Sequence, residues 1–301
     1  MNILVTGGSG QVGLALGRLP WPEDVRLHAP PRTALDLSDP GSIRRALEGE
    51  RWSAVISCGA FTAVDRAETD VEAAWAANAL APAILARGAA LAGAPIVHVS
   101  TDYVFPGTKS EPYQENDPVG PVGVYGASKE GGEQAVRTAN PRHAVVRTAW
   151  VVSPDRANFL RTMLRLAAER DEVRVVDDQR GSPTFARDLA QALQRITLRL
   201  ARDPGAPVGT YHAVNSGEAT WAGFAREIFA TSARHGGPSA RVVPISTAEY
   251  PTPARRPANS RLATDRIRAD HGVALRPWQE ALDETVAELL SGSVSAPPGR
   301  S

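Results

Sequence analysis

The chain has 301 residues, 43% of them hydrophobic, and its 33 Lys and Arg balance 33 Asp and Glu. That is length enough for one large or two modest domains with real cores, while zero net charge gives no hold on nucleic acid or an anionic membrane surface. No apolar run approaches the roughly 20 residues of a membrane span, and the one cysteine, Cys58, cannot form an internal disulfide. A reducing, cytoplasmic setting fits.

Residues 2–6 form a short apolar strand that enters a glycine turn directly, so the N-terminus reads as a strand rather than a signal peptide. Gly7, Gly10 and Gly13 give the spacing G-x-x-G-x-x-G, and helical periodicity follows in Val12, Leu14, Leu16 and Leu19 until Pro20. Strand, glycine turn, helix is the arrangement that lets backbone N–H groups and a helix N-terminus approach a pyrophosphate. Gly7, Gly10, Gln11, Val12 and Gly13 are therefore candidate cofactor-binding residues. A second strand is expected near 25–29. Where an acidic residue would hold a ribose 2′-hydroxyl, the chain instead has Pro30-Pro31-Arg32. A guanidinium suits a 2′-phosphate, which points to NADPH, with NADH the alternative. Asp36 and Leu37 follow, the carboxylate placed to accept from an adenine amino group.

Residues 52–57 read as a buried strand ending in Cys58-Gly59-Ala60-Phe61-Thr62. Small residues there allow close passage of a cofactor, and Ala60, Phe61 and Thr62 join the candidates. Residues 65–91 are alanine-rich and amphipathic, a long helix with a break expected near Pro82. Asn78 within it reads as a local hydrogen-bonding residue. The strand 96–100 carries His98 as a core histidine and ends at Thr101, whose hydroxyl would lie at the cofactor's edge of the sheet. A Pro-, Gly- and acid-rich loop spans 106–124, and 143–148 is a further strand.

Tyr125 and Lys129 stand four residues apart, on one face if the segment is helical. A phenol has a pKa of about 10 and is a poor acid alone. An adjacent ammonium favours the phenolate, so the pair is expected to form a tuned acid. The chain has only two lysines, Lys109 and Lys129, and uses arginine wherever else it wants a cation. Lysine is a compact charge on a flexible stem, arginine a flat fork. Its retention at 129 suggests that the site needs that shape.

Beyond residue 150 the pattern changes. Helices are expected over 158–168, 185–200 and 277–290, and strands over 173–176 and 211–214. These elements interleave with the first domain (1–150) and make 151–290 mainly a smaller, substrate-binding lobe. Arg255, Arg256 and Arg261 lie with Asn259 in a Pro-rich segment, and their forks match diphosphate oxygens. Residues 291–301 read as a disordered tail. The fold class is α/β: a doubly wound parallel (Rossmann-type) sheet with a smaller C-terminal substrate-binding lobe.

The glycine turn, the strand-ending Thr101 and Tyr125-x-x-x-Lys129, in that order, resemble an extended short-chain dehydrogenase/reductase. Residues 100–105 (Ser-Thr-Asp-Tyr-Val-Phe), 147–151 (Arg-Thr-Ala-Trp-Val), 178–184 (Asp-Gln-Arg-Gly-Ser-Pro-Thr) and 250–262 resemble the dTDP-4-dehydrorhamnose reductase family more closely. The resemblance implies NADPH-dependent reduction of the 4-keto group of dTDP-4-dehydro-L-rhamnose to dTDP-L-rhamnose. Tyr125 would be the acid, Lys129 the grip on the nicotinamide ribose and Thr101 the support for the carbonyl, with Asp102 and Trp150 touching the sugar nucleotide. Related 4,6-dehydratases usually carry Asp-Glu after the threonine. Here Asp102 is followed by Tyr103, so elimination lacks its second carboxylate. Some members dimerise through Mg²⁺ held by glutamates; Ala15 and Arg187 stand at those positions, so no such metal is expected and the chain is a monomer or homodimer. The alternatives are a reductase of another nucleotide-activated 4-keto sugar and a non-catalytic dinucleotide-binding regulatory subunit.

Overall fold

Alternation along the first strand builds the architecture. In the computed structural model, which describes residues 1–293, Ile3 and Val5 face one side of a sheet and Leu4 the other, all fully or almost fully buried. The first half contains β1 (Asn2–Thr6), α1 (Gln11–Arg18), β2 (Arg26–His28), α2 (Pro40–Glu48), β3 (Ala54–Ser57), α3 (Val64–Ala67), α4 (Val71–Trp75), α5 (Ala81–Leu91), β4 (Ile96–Thr101), α6 (Val124–Ala139) and β5 (His143–Thr148). The second half adds β6 (Val151–Val152), α7 (Phe159–Glu169), β7 (Glu172–Val176), β8 (Arg180–Gly181), β9 (Thr184–Phe185), α8 (Ala186–Arg202), β10 (Gly209–His212), β11 (Ala219–Thr220), α9 (Trp221–Arg234), β12 (Arg241–Ile245), α10 (Asp265–His271) and α11 (Trp278–Ser293).

The main sheet has six strands in the order β10-β5-β4-β3-β1-β2, and every pairing is parallel. Parallel strands need crossovers, and the helices that supply them cover both faces. Leu16 of α1 and Leu189, Leu193 and Ile196 of α8 pack on one side; Ile43 of α2, Leu85 of α5 and Val136 of α6 pack on the other. The chain moves outward from β1 to β2, then crosses back to β3 on the other flank of β1. Strand order therefore reverses between β1 and β3, and in open α/β sheets that point opens the ligand crevice at the strands' C-terminal ends.

Two elements from beyond residue 150, α8 and β10, belong to this sheet and its covering layer. Another core gathers α7, α9 and α11 with the parallel pair β7–β12 around Phe224, Ile228 and Leu282. The tail expected over 291–301 falls outside the described residues from 294 on, and residues 291–293 close α11.

The expected long helix over 65–91 is interrupted earlier than Pro82. It turns at 68–70, and Ala76–Leu80 forms a π-helical turn before α5. Pro82 has no N–H to give the Asn78 carbonyl four residues back, and it sits instead in the first turn of α5, where none is needed. A Cβ on Gly132 would strike that same carbonyl. The glycine thus lets α6 approach the π turn closely.

Candidate active site

The turn after β1 is shaped by two steric demands. Gly7 has φ +70°, and a Cβ there would lie 2.6 Å from Gly59 Cα in the loop after β3. Gly13 presses α1 against the Gly7 carbonyl. Gly10 is different: its backbone is ordinary (φ −82°, ψ 172°), and a Cβ would meet only the Gly7 carbonyl at 3.2 Å. α1 has no side-chain cap and no acid in its first turn, so its N–H groups and positive dipole end suit a pyrophosphate. Gln11 turns away, accepting from Ser153 Oγ (2.9 Å) and Asn158 Nδ2 (3.0 Å) and donating to the Val151 carbonyl. Val12 packs against the first core.

Arg32 is largely exposed and meets Asp36 at 3.6 Å. Asp36 accepts from Ser38 N and Oγ at 2.9 and 2.8 Å, and those bonds hold its carboxyl below the ordinary range. Leu37 lies against Gly59. Beyond Gly59 and Ala60, both backbone groups of Phe61 bond to Asn78, whose Oδ1 accepts at 2.8 Å and whose Nδ2 donates at 3.1 Å. The same amide donates to Ser128 Oγ at 3.0 Å. Asn78 is therefore not the local hydrogen-bonding residue expected. Fully buried, it ties the loop carrying Phe61 and Thr62 to the helix carrying Tyr125 and Lys129.

Thr101 closes β4 at the same sheet edge, 5% exposed. Its Oγ1 donates to Asp102 Oδ1 at 3.0 Å and accepts from Tyr103 N–H at 3.2 Å. Tyr125 meets Tyr103 edge to face at 5.5 Å. Lys129 is 3% exposed and donates to the Val99 carbonyl at 2.7 Å.

One expectation fails here. The Tyr125 phenol is pushed up, not down: burial outweighs the lowering influence of the neighbouring Thr101 hydroxyl, and Asp102 and Tyr103 add to the rise. The ammonium is directed at the Val99 carbonyl. Lys129 is itself lowered to about 8 by desolvation, with Glu133 acting the other way.

A buried charge cluster went unread in the sequence. Glu133, one turn beyond Lys129, accepts from Ser100 Oγ (2.6 Å) and from Arg147 Nε (2.8 Å) and Nη2 (2.7 Å), and it also pairs with Arg137. It joins α6 to β4 and β5 behind the sheet edge that carries Thr101. The available signal was a glutamate four residues after Lys129, hence on the same helical face.

The Pro-rich segment 250–262 reaches the same region. Arg256 pairs with Asp65 at 2.7 Å and touches Tyr103 Oη at 3.4 Å, while Arg255 is exposed. Arg261 pairs with Glu218 at 2.7 Å, and Asn259 Nδ2 donates to the carbonyls of Lys109 and Glu111. Trp150, at φ +50°, stacks on Trp221 at 3.6 Å over Gly181. Ala15 is buried in the first core and Arg187 faces Glu284 at 3.7 Å. Among the described residues no cluster of three or more His, Cys, Asp or Glu could hold a metal ion, and no helix is long and apolar enough to cross a membrane.

A six-stranded parallel sheet with a glycine turn at its switch point, and Thr101, Tyr125 and Lys129 gathered at the same edge, defines a Rossmann-type reductase of the extended short-chain class. Comparison sharpens this. A family model described as "RmlD substrate binding domain" matches residues 1–291. A dTDP-4-dehydrorhamnose reductase of Sinorhizobium fredii is 43% identical over 96% of this chain and 98% of its own. A Streptomyces antibioticus protein named a probable dTDP-4,6-dihydroxy-2-methyloxan-3-one 4-ketoreductase is 40% identical over 100% and 99%. The crystal structure of dTDP-4-dehydrorhamnose reductase from Bacillus anthracis in complex with NADP superposes with a TM-score of 0.89 at 33% identity, covering 95% of this chain and 99% of that one. The chain belongs to the dTDP-4-dehydrorhamnose reductase family.

Proposed function

We propose that this protein reduces the 4-keto group of dTDP-4-dehydro-L-rhamnose with NADPH, giving dTDP-L-rhamnose. The observation that carries the reading is the meeting of Tyr125, Thr101 and Lys129 at the sheet edge that also presents the uncapped glycine turn. The glycine turn would hold the cofactor's pyrophosphate, Arg32 its 2′-phosphate, and Lys129 the nicotinamide ribose. When bound, the cofactor supplies the hydride. The protein's part is the proton. Burial keeps the Tyr125 phenol protonated, so it stands ready to donate as negative charge grows on the carbonyl oxygen. Lys129, charged below about pH 8, is placed on the same helix face to offset the phenolate left behind. Trp150, Asp102 and the arginines of 255–261 are the proposed contacts of the sugar nucleotide. The expected setting is the cytoplasm, and the expected state is a monomer or homodimer.

The relative from Streptomyces antibioticus, named for a different dTDP-linked keto sugar, favours a second reading: reduction of another nucleotide-activated 4-keto sugar. The intact Thr101, Tyr125 and Lys129 argue against a non-catalytic regulatory subunit. Purified protein with NADPH and dTDP-4-dehydro-L-rhamnose should oxidise NADPH and yield dTDP-L-rhamnose by NMR. Turnover of a different keto sugar alone would install the second reading, and silence across nucleotide sugars would leave only the regulatory one.

A further inference from the structure

The one proton of the Thr101 hydroxyl is already committed. A hydroxyl has one proton and two lone pairs. The proton goes to Asp102 Oδ1, and one lone pair takes the Tyr103 N–H. In this arrangement Thr101 has nothing to give a substrate carbonyl. Asp102 is in the opposite condition. It is 3% exposed, and its Oδ2 is buried with no hydrogen-bond partner. Facing it are Tyr103 and Thr101 from its own segment, Tyr125 from α6 and Ser260 from the Pro-rich segment. Arg256 and Asp65, the charges beside Tyr103, are paired with each other. Among the described residues no cation pairs with the Asp102 carboxyl.

We propose that Asp102 is a positioning residue that works in its protonated form, donating to Thr101 Oγ1 and so releasing the threonine O–H to the substrate oxygen. The inference rests on the reductase reading above. One Thr101 lone pair remains beside the one that takes the Tyr103 N–H, and the Asp102 proton takes that place. The count then closes: Thr101 accepts from Tyr103 and Asp102 and donates to the substrate. Tyr125 delivers the one proton that the reduction consumes; the proton of Asp102 stays on its carboxyl. An ionised Asp102 fails on two grounds, since it holds the Thr101 proton and sets a negative charge beside the growing alkoxide. Desolvation already pushes this carboxyl up to about 6, against the pull of Ser260 and Thr101.

The test is the pH profile of kcat at saturating NADPH and keto sugar from about pH 5 to 7, below the range where Lys129 discharges. Wild type should fall by as much as about tenfold per pH unit above the titration of Asp102, the slope of one proton. Asp102→Asn, whose amide N–H can donate to Thr101 at any pH, should be flat there. A second readout needs no turnover: in cofactor-free protein with ¹³C-labelled aspartate, the carboxyl resonance missing from Asp102→Asn should titrate well above the other carboxyls. Should Asp102→Asn not fold, Thr101→Val replaces it, with a lowered kcat that responds more weakly to pH. A variant profile that keeps the wild-type fall, or an Asp102 resonance titrating with ordinary carboxyls, overturns the inference and leaves the reductase reading standing. Absence of wild-type turnover at every pH sinks both.

Discussion

Glu133→Gln should be among the most damaging isosteric changes in this protein, although the side chain touches neither cofactor nor substrate. Glu133 is 0% and Arg147 2% exposed, so the substitution strands a guanidinium almost wholly out of water. Breaking one partner of a buried ion pair typically costs about 3–5 kcal/mol, whereas replacing both by apolar groups of similar volume is often neutral or better. Glu133→Gln should therefore lose about 3 kcal/mol or more in urea unfolding followed by tryptophan fluorescence. Glu133→Leu with Arg147→Met should recover much of it. A kinetic signature accompanies the loss, because Glu133 supports the charge on Lys129. Removing the carboxylate should move the alkaline limb of the pH–rate profile downward. A Glu133→Gln protein within about 1 kcal/mol of wild type, with an unmoved limb, would refute the reasoning.

Other outcomes follow from the same geometry. Gly10→Ala should leave stability within about 1 kcal/mol, since its backbone is ordinary, yet weaken NADPH binding at least tenfold in a fluorescence titration; Gly13→Ala, which drives a methyl into the Gly7 carbonyl, should unfold more readily. Arg32→Ala should cost about tenfold in NADPH affinity and leave NADH unchanged, a difference that calorimetry with both cofactors resolves. Asp102→Asn should stabilise the fold at pH 8. The folded carboxyl titrates near 6 against an ordinary 3.8, so the wild type's stability is fully present below pH 3.8 and falls as pH rises through 6. The gap between variant and wild type should approach about 3 kcal/mol at pH 8 and vanish near pH 3.5 in urea melts.

Much of this site could be read from the chain because its parts are local. The glycine turn, the apolar alternation of β1 and the four-residue step from Tyr125 to Lys129 each fit within one element. The residues that hold those parts together could not be read that way. Glu133 meets Arg147 and Ser100 only because β4 and β5 pair in a register that sets Ser100 opposite Arg147. Asn78 reaches Phe61 and Ser128 from a π-helical turn just ahead of Pro82, which residue pattern alone does not announce. The acidity of Tyr125 was misjudged for a related reason. Proximity along the helix says nothing about where an ammonium points, and in the folded protein desolvation dominates while Lys129 is turned to the Val99 carbonyl. The arginines of 255–261 show the same limit. Their charges were legible, but the prior claims of Asp65 on Arg256 and of Glu218 on Arg261 were not.

The most direct test of the proton-donor assignment is single-turnover reduction of dTDP-4-dehydro-L-rhamnose by Tyr125→Phe, with the NADPH dissociation constant measured on the same preparation. The rate should drop about 10²–10⁴-fold while the dissociation constant stays within about twofold of wild type. A variant that binds NADPH normally and reduces the sugar at an undiminished rate would contradict it.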